Sequence, residues 1–528
     1  VGSAMQLRGT DDVVIAFFGD GAVAQGMFHE SVNLAAVWNL PVIFLCENNH
    51  YAEFSAAVDQ HRAPLSARAT GYGVAYEHVD GNDVVAVAET LDAVVEGVRR
   101  GSGPVIVETE TYRWHGHYEG DPESYRAAEE LDEWKLKDPL VLLSTRLTGL
   151  GAAEELAEID AEIEAEITAG VEFARAAPWP SDDSLFDFVV APRDEIAEPE
   201  APAEGSVFKM MHAVRNAIAH ELAADDSVFV AGIDVAAGGN VFGLFRGLAE
   251  EFPGRVRDTP ISETAILGTA VGSAMAGMRP IVEIMYMDFI GVCLDQLLNQ
   301  AAKLGFMTGG NASMPLVVRT QFGAGRSSGS QHSQSLEAIL AHIPGLTVVM
   351  PSNPTDAYGL LRAAIRDPNP VVFVENRLQY GMKGIQPPDD YLVPLGKAKV
   401  VREGADITLV SYSRMLIDCL TAAEKLAEEG IDVEVIDLRT IVPLDRATIL
   451  ESLKKTHRLA IAHEAVQDFG VGAEIAALAA NEGFWHLDAP VVRVAPPAMP
   501  APYSPALERL WLPDAGAIAD AVRRTVRP

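Results

Sequence analysis

Cysteine is nearly absent from this chain. Its 528 residues include three, Cys46, Cys293 and Cys419. Each sits inside an apolar run, and the three share no metal-ligand spacing, so neither a disulfide framework nor a thiolate metal site is expected. They read as buried free thiols in a reducing compartment, which points to a cytoplasmic protein. Basic residues are also short: 40 Lys and Arg against 75 Asp and Glu give a formal net charge of −35. A surface of that sign repels nucleic-acid backbones and anionic membranes, and it attracts a basic partner. No uninterrupted apolar run is long enough to span a bilayer, and none reads as a secretory leader. A starting methionine is lacking too. Val1-Gly2-Ser3-Ala4-Met5 reads as the middle of a small-residue helix, so upstream chain is expected to be missing.

What remains is ample globular material. Hydrophobic residues make up 48% of a chain too long for one core. Apolar runs at 13–18, 41–46, 74–78 and 104–109 alternate with helical spacing at 27–38 and 83–100, the pattern of a parallel α/β sheet. An acidic amphipathic helix is expected over Glu154–Arg175. Residues 178–206 then hold Pro178, Pro180, Pro192, Pro199 and Pro202 among acids and read as an extended charged linker. A second α/β region occupies 207–390, with strands expected near 228, 281, 316, 347 and 371. A third occupies 391–528, with strands at 407–411, 433–437 and 459–463. The fold class is therefore α/β and multidomain, with parallel sheets.

Open parallel sheets bind ligands beyond the carboxyl ends of their strands. Gly19-Asp20-Gly21 stands at one such end and Asn48-Asn49 at the next. A carboxylate and an amide oxygen suit a hard divalent ion, the glycines let backbone approach, and the following helix aims its positive end at a phosphate. Gly-Asp-Gly alone is as readily an ordinary turn; the paired Asn makes it more specific. A second polar loop, Thr111 to Arg126, carries His115, His117, Arg113 and Trp114, residue types fit for acid/base work or phosphate binding, or for an incidental surface loop.

Gly19-Asp20-Gly21 through Glu47-Asn48-Asn49-His50-Tyr51 resembles the thiamine-diphosphate motif. Together with Gly26-Met27-Phe28-His29-Glu30-Ser31, it is similar to the α subunit of the first component of 2-oxo acid dehydrogenase complexes. That resemblance implies magnesium ligands at Asp20, Asn49 and the Tyr51 carbonyl. It places Gly19, Gly21 and Ala22 at the diphosphate and makes 1–177 an α-type domain, incomplete at its N-terminus. Trp114-His115-Gly116-His117 resembles the family's histidine loop, which makes His117 the cofactor- and substrate-facing histidine. Mitochondrial relatives carry a phosphorylated serine after it; Tyr118 stands here, so kinase control of that kind is not implied. The wording from Gly116 to Pro122 is closer to bacterial acetoin-cleaving enzymes.

The region 207–390 resembles the β subunit's pyrimidine-binding domain, and 391–528 the transketolase C-terminal-like domain. Glu263 opens a Gly/Ala-rich helix, where an acid is commonly a dipole partner. By resemblance it hydrogen-bonds the aminopyrimidine ring and favours the imino tautomer that activates the cofactor. Phe289 matches the aromatic beside the pyrimidine, or is a core residue. His332, among Gly323, Gly325 and Gly329, matches the second active-site histidine, a proton donor in acyl transfer. His457 and His463 read as structural.

The resemblance thus implies α and β subunits fused head to tail. The chain would bind thiamine diphosphate and Mg2+ and act as a homodimer. It would cleave a 2-oxo acid or an acyloin and hand the acyl group to a lipoyl acyltransferase. Two rivals stand beside it: a transketolase-like carboligating enzyme without a lipoyl partner, and a non-catalytic scaffold of the complex. The chemistry of the residues leaves the substrate open.

Overall fold

The computed structural model describes residues 1–527. The chain divides into two compact units, Val1–Phe186 and Asp187–Pro528. Among the described residues no helix is long and apolar enough to cross a membrane. All three cysteines are buried and free, as their apolar settings imply.

The first unit is built on four strands: β1 (Val14–Gly19), β2 (Val42–Asn48), β3 (Ala75–Asp80) and β4 (Val105–Glu110). They pair in parallel in the order β1-β2-β4-β3. The continuous apolar run of β2 is buried on both faces, as a central parallel strand requires. Its Ile43 packs with Val105 and Val107 of β4 and with Val94 and Val98 of the helix Val84–Arg99. Asp83 starts that helix by accepting from the amides of Val85 and Ala86 at 3.0 and 3.2 Å. The helix Ala153–Ala176 forms where expected, but none of its residues is buried. Its apolar stripe, Ile159, Ile163, Ile167 and Val171, faces solvent.

The second unit contains fourteen strands by chain order. They are β5 (Val207–Lys209), β6 (Val228–Gly232), β7 (Val256–Asp258), β8 (Arg279–Ile284), β9 (Val317–Phe322), β10 (Thr347–Val349), β11 (Val371–Asn376) and β12 (Lys383–Ile385), followed by β13 (Lys399–Arg402), β14 (Ile407–Ser411), β15 (Val433–Asp437), β16 (Thr440–Val442), β17 (Leu459–Ala462) and β18 (Val492–Val494). Among the described residues these form three sheets: β16-β10-β11-β9-β8-β6-β7, β13-β15-β14-β17-β18 and the antiparallel pair β12-β5. The sequence pattern misses β16, three residues that leave the C-terminal sheet and add an antiparallel edge to the other. Helices Met210–Ala224 and Pro354–Arg366 pack together over the larger sheet, sharing a core with Val230, Val317 and Phe373. Beneath it lies a buried charge relay. Arg319 of β9 bonds Glu283 of β8 at 2.6 Å and grips Glu375 of β11 at 2.7 and 2.8 Å. Their mutual attraction offsets only part of the desolvation cost, since burial still pushes the Glu283 carboxyl up to about 7.

Within the stretch expected as a linker, Asp182–Phe186 form a 3-10 helix and residues 187 to 206 hold no helix or strand, yet they do not run free. Ala191 exchanges hydrogen bonds with the Asn369 side chain at 2.6 and 3.0 Å. Farther along, Glu198 takes both guanidinium nitrogens of the buried Arg439 at 2.8 and 2.9 Å. The acids that read as solvating charge thus serve partly as ion-pair partners within the second unit.

His463, at the end of β17, is fully buried, stacked beside Tyr412, with its Nδ1 3.0 Å from the Ala465 carbonyl. Burial pushes its pKa from 6.5 down to about 4. A histidine whose folded pKa is depressed stays neutral in the native state while the unfolded chain takes up a proton. Stability is therefore lost as pH falls from 6.5 towards 4, by about 3 kcal/mol from this group. Urea titrations across that interval should show the loss, and His463→Asn should flatten it; an unchanged slope in the variant would contradict the assignment.

Candidate active site

The register of the first sheet gathers its loops. Gly19 pairs with Glu47, and Asn48 with Glu110, so the chain leaves β1, β2 and β4 at one edge. Asp20 opens a 3-10 turn, Asp20–Ala24, and is 1% exposed. Neither carboxylate oxygen has a hydrogen-bond partner among the described residues. Burial raises its pKa, and the nearby amides of Asp20 and Asn49 and the charges of His50 and His61 only partly oppose that. A carboxylate stripped of water and left unpaired costs several kcal/mol, a cost that a cation removes. Asn49 turns its Oδ1 inward by accepting from the Tyr51 amide at 3.1 Å, across a turn in which His50 has φ 70°. Asn48 Oδ1 accepts the His50 amide in the same way, at 3.1 Å, and the two asparagines differ at the side-chain nitrogen, which in Asn48 donates to Glu108 at 2.7 Å.

Gly21 is required by space. A Cβ there would meet the Cβ of Ala52 at 2.7 Å, so the Asp20 turn and the segment after Asn49 can touch only through a glycine. Gly19 has no such neighbour within 4 Å. The expected close approach therefore holds at one glycine and not, within this chain, at the other. The turn containing Gly21 and Ala22 leads into the helix Gly26–Trp38. Among the described residues no cluster of three or more His, Cys, Asp or Glu is arranged to hold a metal. The donors here are one carboxylate, one amide and backbone, the oxygen set that suits magnesium shared with a phosphate.

His115 and His117 are both exposed on their loop. The loop's arginine is a brace. Arg113 donates to the carbonyls of Ala52 and Glu53 at 3.1 and 2.7 Å and to the Tyr125 hydroxyl at 2.8 Å. Tyr125 in turn donates to Asp121 at 2.9 Å, and Asp121 accepts the His117 amide at 2.8 Å. Desolvation works to raise the Asp121 pKa, but the amides of Glu123 and His117 outweigh it and hold the carboxyl below its usual range. Arg126, with its side chain buried, donates to the carbonyls of Arg113 and Trp114 and to Glu123. Tyr51 anchors the other side: its hydroxyl donates to Glu130 at 3.0 Å, and its ring lies 5.5 Å from Tyr125. Sequence reading grouped the loop's histidines but missed this bracing. The signal available was Asp121-Pro122, an acid followed by a rigid turn residue.

In the second unit Glu263 is the first residue of the helix Glu263–Met275 and half-buried. Its carboxylate makes no hydrogen bond or ion pair among the described residues. Phe289 and His332 come together: their rings are 5.5 Å apart, and both lie edge-on to Tyr286, at 5.6 and 4.9 Å. Phe289 is half-buried, which favours a surface-facing aromatic over a core one. Tyr286, which the sequence reading passed over, is the hub of this group and lies under the Arg377 guanidinium at 5.6 Å.

Residues 1–182 match the family described as dehydrogenase E1 component. Residues 207–383 match the transketolase pyrimidine-binding domain, and 396–518 the transketolase C-terminal domain. The chain is 45% identical over 325 residues to the β subunit of acetoin:2,6-dichlorophenolindophenol oxidoreductase of Cupriavidus necator, covering 60% of this chain and 96% of that one. It is 45% identical to the pyruvate dehydrogenase E1 component subunit beta of Rhizobium meliloti, over 62% of this chain and 73% of that one. With the 2-oxoisovalerate dehydrogenase subunit beta of Bacillus subtilis it shares 43% identity, over 60% of this chain and 98% of the relative. A solved structure described as a split gene transketolase, inactive beta4 tetramer, superposes with a TM-score of 0.51 at 21% identity, covering 61% of this chain and 99% of that one. That likeness is one of fold.

The orphaned Asp20 makes a two-sided prediction. Asp20→Asn should stabilise the ligand-free protein by about 1–3 kcal/mol, since an unpaired buried charge is removed. The same change should abolish the rise in melting temperature produced by magnesium with thiamine diphosphate. Calorimetry with and without the pair reads both; a destabilised apo variant that still responds to magnesium would refute the ligand role. Gly21→Ala should weaken that response about tenfold or more by displacing Ala52.

Proposed function

The chain belongs to the thiamine-diphosphate-dependent dehydrogenase E1 components, with an α-type and a β-type part in one polypeptide; from that premise we propose that it cleaves a 2-oxo acid, or an acyloin such as acetoin, and passes the acyl group to a lipoyl acyltransferase. As a member it is an oxidoreductase of the 2-oxo acid dehydrogenase type. The observation that carries the reading is the buried Asp20 carboxylate with no partner of its own.

Thiamine diphosphate, when bound, supplies a nucleophilic carbon and a sink for the electron pair released when the substrate's carbon–carbon bond breaks. The rest falls to the chain's residues. Asp20, Asn49 and the Tyr51 carbonyl would hold Mg2+, and Gly19, Gly21 and Ala22 would face the diphosphate. Glu263 would hold a proton at a pyrimidine ring nitrogen. Its lack of any other partner supports that task, because a free carboxylate at a helix start is available to a ligand. Phe289 packs beside the pyrimidine. His117 and His332 hold or deliver protons at the substrate, and His332 protonates the lipoyl sulfur set free as the disulfide is reduced and the acyl carbon oxidised. The net charge of −35 suits a basic docking surface on the acyltransferase. The whole acts as a homodimer, which sedimentation of the active protein tests.

The relatives named for acetoin, pyruvate and 2-oxoisovalerate share similar identity with this chain, so the substrate class is open among them. Turnover of acetoin, pyruvate, branched 2-oxo acids and 2-oxoglutarate with 2,6-dichlorophenolindophenol as electron acceptor decides it. A ketol product without dye reduction would favour the transketolase-like rival, and failure to bind thiamine diphosphate the scaffold. Glu263→Gln should lower turnover about 100-fold or more while cofactor binding is retained. Full activity in that variant would end the proposed mechanism.

A further inference from the structure

The loop that carries His332 is not held by the sheet from which it springs. It leaves β9 at Phe322 and passes through four left-handed residues, Gly323 (φ 104°), Gly325 (φ 96°), Ser327 (φ 54°) and Gly329 (φ 76°). Successive left-handed turns aim main-chain amides at a common anion. Two carboxylates from the C-terminal domain take them. Glu508, buried on the short helix Pro505–Trp511, accepts the Gly325 amide at 2.7 Å through one oxygen and the Ser327 amide at 2.9 Å through the other. The Ser327 hydroxyl adds a third contact at 3.3 Å. Glu464, buried at the end of β17, accepts the Ala324 amide at 2.7 Å and Asn376 Nδ2 at 2.8 Å.

Packing follows the same seam. Ala324 clusters with Ala501 and Trp511, and the Ser330 hydroxyl donates to the Ala501 carbonyl at 2.8 Å. On the far side of the histidine, the Gln334 side chain donates to Asp288 at 2.8 Å. His332 itself makes no ring hydrogen bond among the described residues and rests edge-on against Tyr286 and Phe289. Rings in edge contact fix distance weakly. The imidazole's place is therefore set by the backbone beneath it, and that backbone is set by charge-assisted bonds, which are about twice as strong as neutral ones.

We propose that Glu508 is a positioning residue for acyl transfer: by clamping the Gly325 and Ser327 amides, the C-terminal domain fixes the loop that presents His332. The proposal rests on the reading of His332 as the proton donor. Glu464 forms the other jaw, and the domain that carries no reacting group of its own thereby sets the geometry of one that does.

The test uses the full chain with magnesium, thiamine diphosphate and a lipoylated acyltransferase domain. Glu508→Ala should lower kcat for acyl transfer about tenfold or more, the usual penalty for a displaced catalytic group. The substrate KM and cofactor affinity should stay within twofold. Glu508→Gln, which keeps an acceptor oxygen, should restore part of the loss and carries the test if the alanine variant fails to fold. Hydrogen exchange at the Gly325 and Ser327 amides should accelerate in both. In a His332→Ala background, Glu508→Ala should cost nothing more, because the two act through one group. Unchanged amide protection, wild-type kcat, or an equal loss in the His332→Ala background would overturn the clamp. Wild-type transfer by His332→Ala alone would instead remove the reading of the histidine, and amide exchange would still decide whether Glu508 holds the loop.

Discussion

Parallel register is the constraint on which the first unit depends. Gly19 opposite Glu47 and Asn48 opposite Glu110 bring three loops to one edge of a sheet whose strands all point the same way. Buried strands leave no freedom to slip, since β2 is apolar on both faces and a shift would expose it. The loops inherit that fixity. Asp20 is forced into a dry position beside the Asn49 turn, and Gly21 is the residue that lets the two segments touch. Arg113 then ties the histidine loop to Ala52 and Glu53, the segment against which Gly21 packs.

The second unit solves a different problem. Its larger sheet carries Arg319 between two glutamates with no access to water, and each of its three guanidinium nitrogens donates to one of them. Above that rigid floor stand Tyr286, Phe289 and His332, whose own contacts are few and weak. Order is imported from the C-terminal sheet. The edge strand β16 crosses to the larger sheet, Glu198 of the connector seals the buried Arg439, and Glu464 and Glu508 hold the glycine-rich loop. These contacts come from a region in which the sequence shows no reacting group.

Much of the architecture was legible beforehand. Continuous apolar runs bounded by glycine and polar turns mark β1, β2, β14 and β15 to within a residue or two; β14 and β15 are buried throughout and β2 nearly so, while β1 is an edge strand that leaves Phe17 exposed. Among three-residue strands β10 was legible and β16 was not: β16 lies in a stretch, Thr440 to Val442, whose length carries no periodicity, and its partner β10 lies far upstream in sequence. The helix Ala153–Ala176 was legible as a helix but not as a solvent-facing one, since an apolar stripe says what a helix can bury and not whether anything meets it. The connector's acids read as solvating charge; Glu198 finds a buried arginine that lies 241 positions away in sequence.

For the loops around Asp20 and Asn49, sequence by itself determined the residue types and their order. Gly-Asp-Gly ending one strand and a paired Asn ending the next follow from local turn chemistry and strand ends, both short-range. Tertiary structure alone decided which of them are spoken for. Asn48 gives its side-chain nitrogen to Glu108, Gly21 is obligatory while Gly19 is not, and Asp20 is left without a partner. The same division holds at Glu263, whose helix start was readable and whose freedom from any neighbour was not. Burial and the pairing of distant polar groups are properties of packing, and packing is set by contacts that no local pattern of residues records.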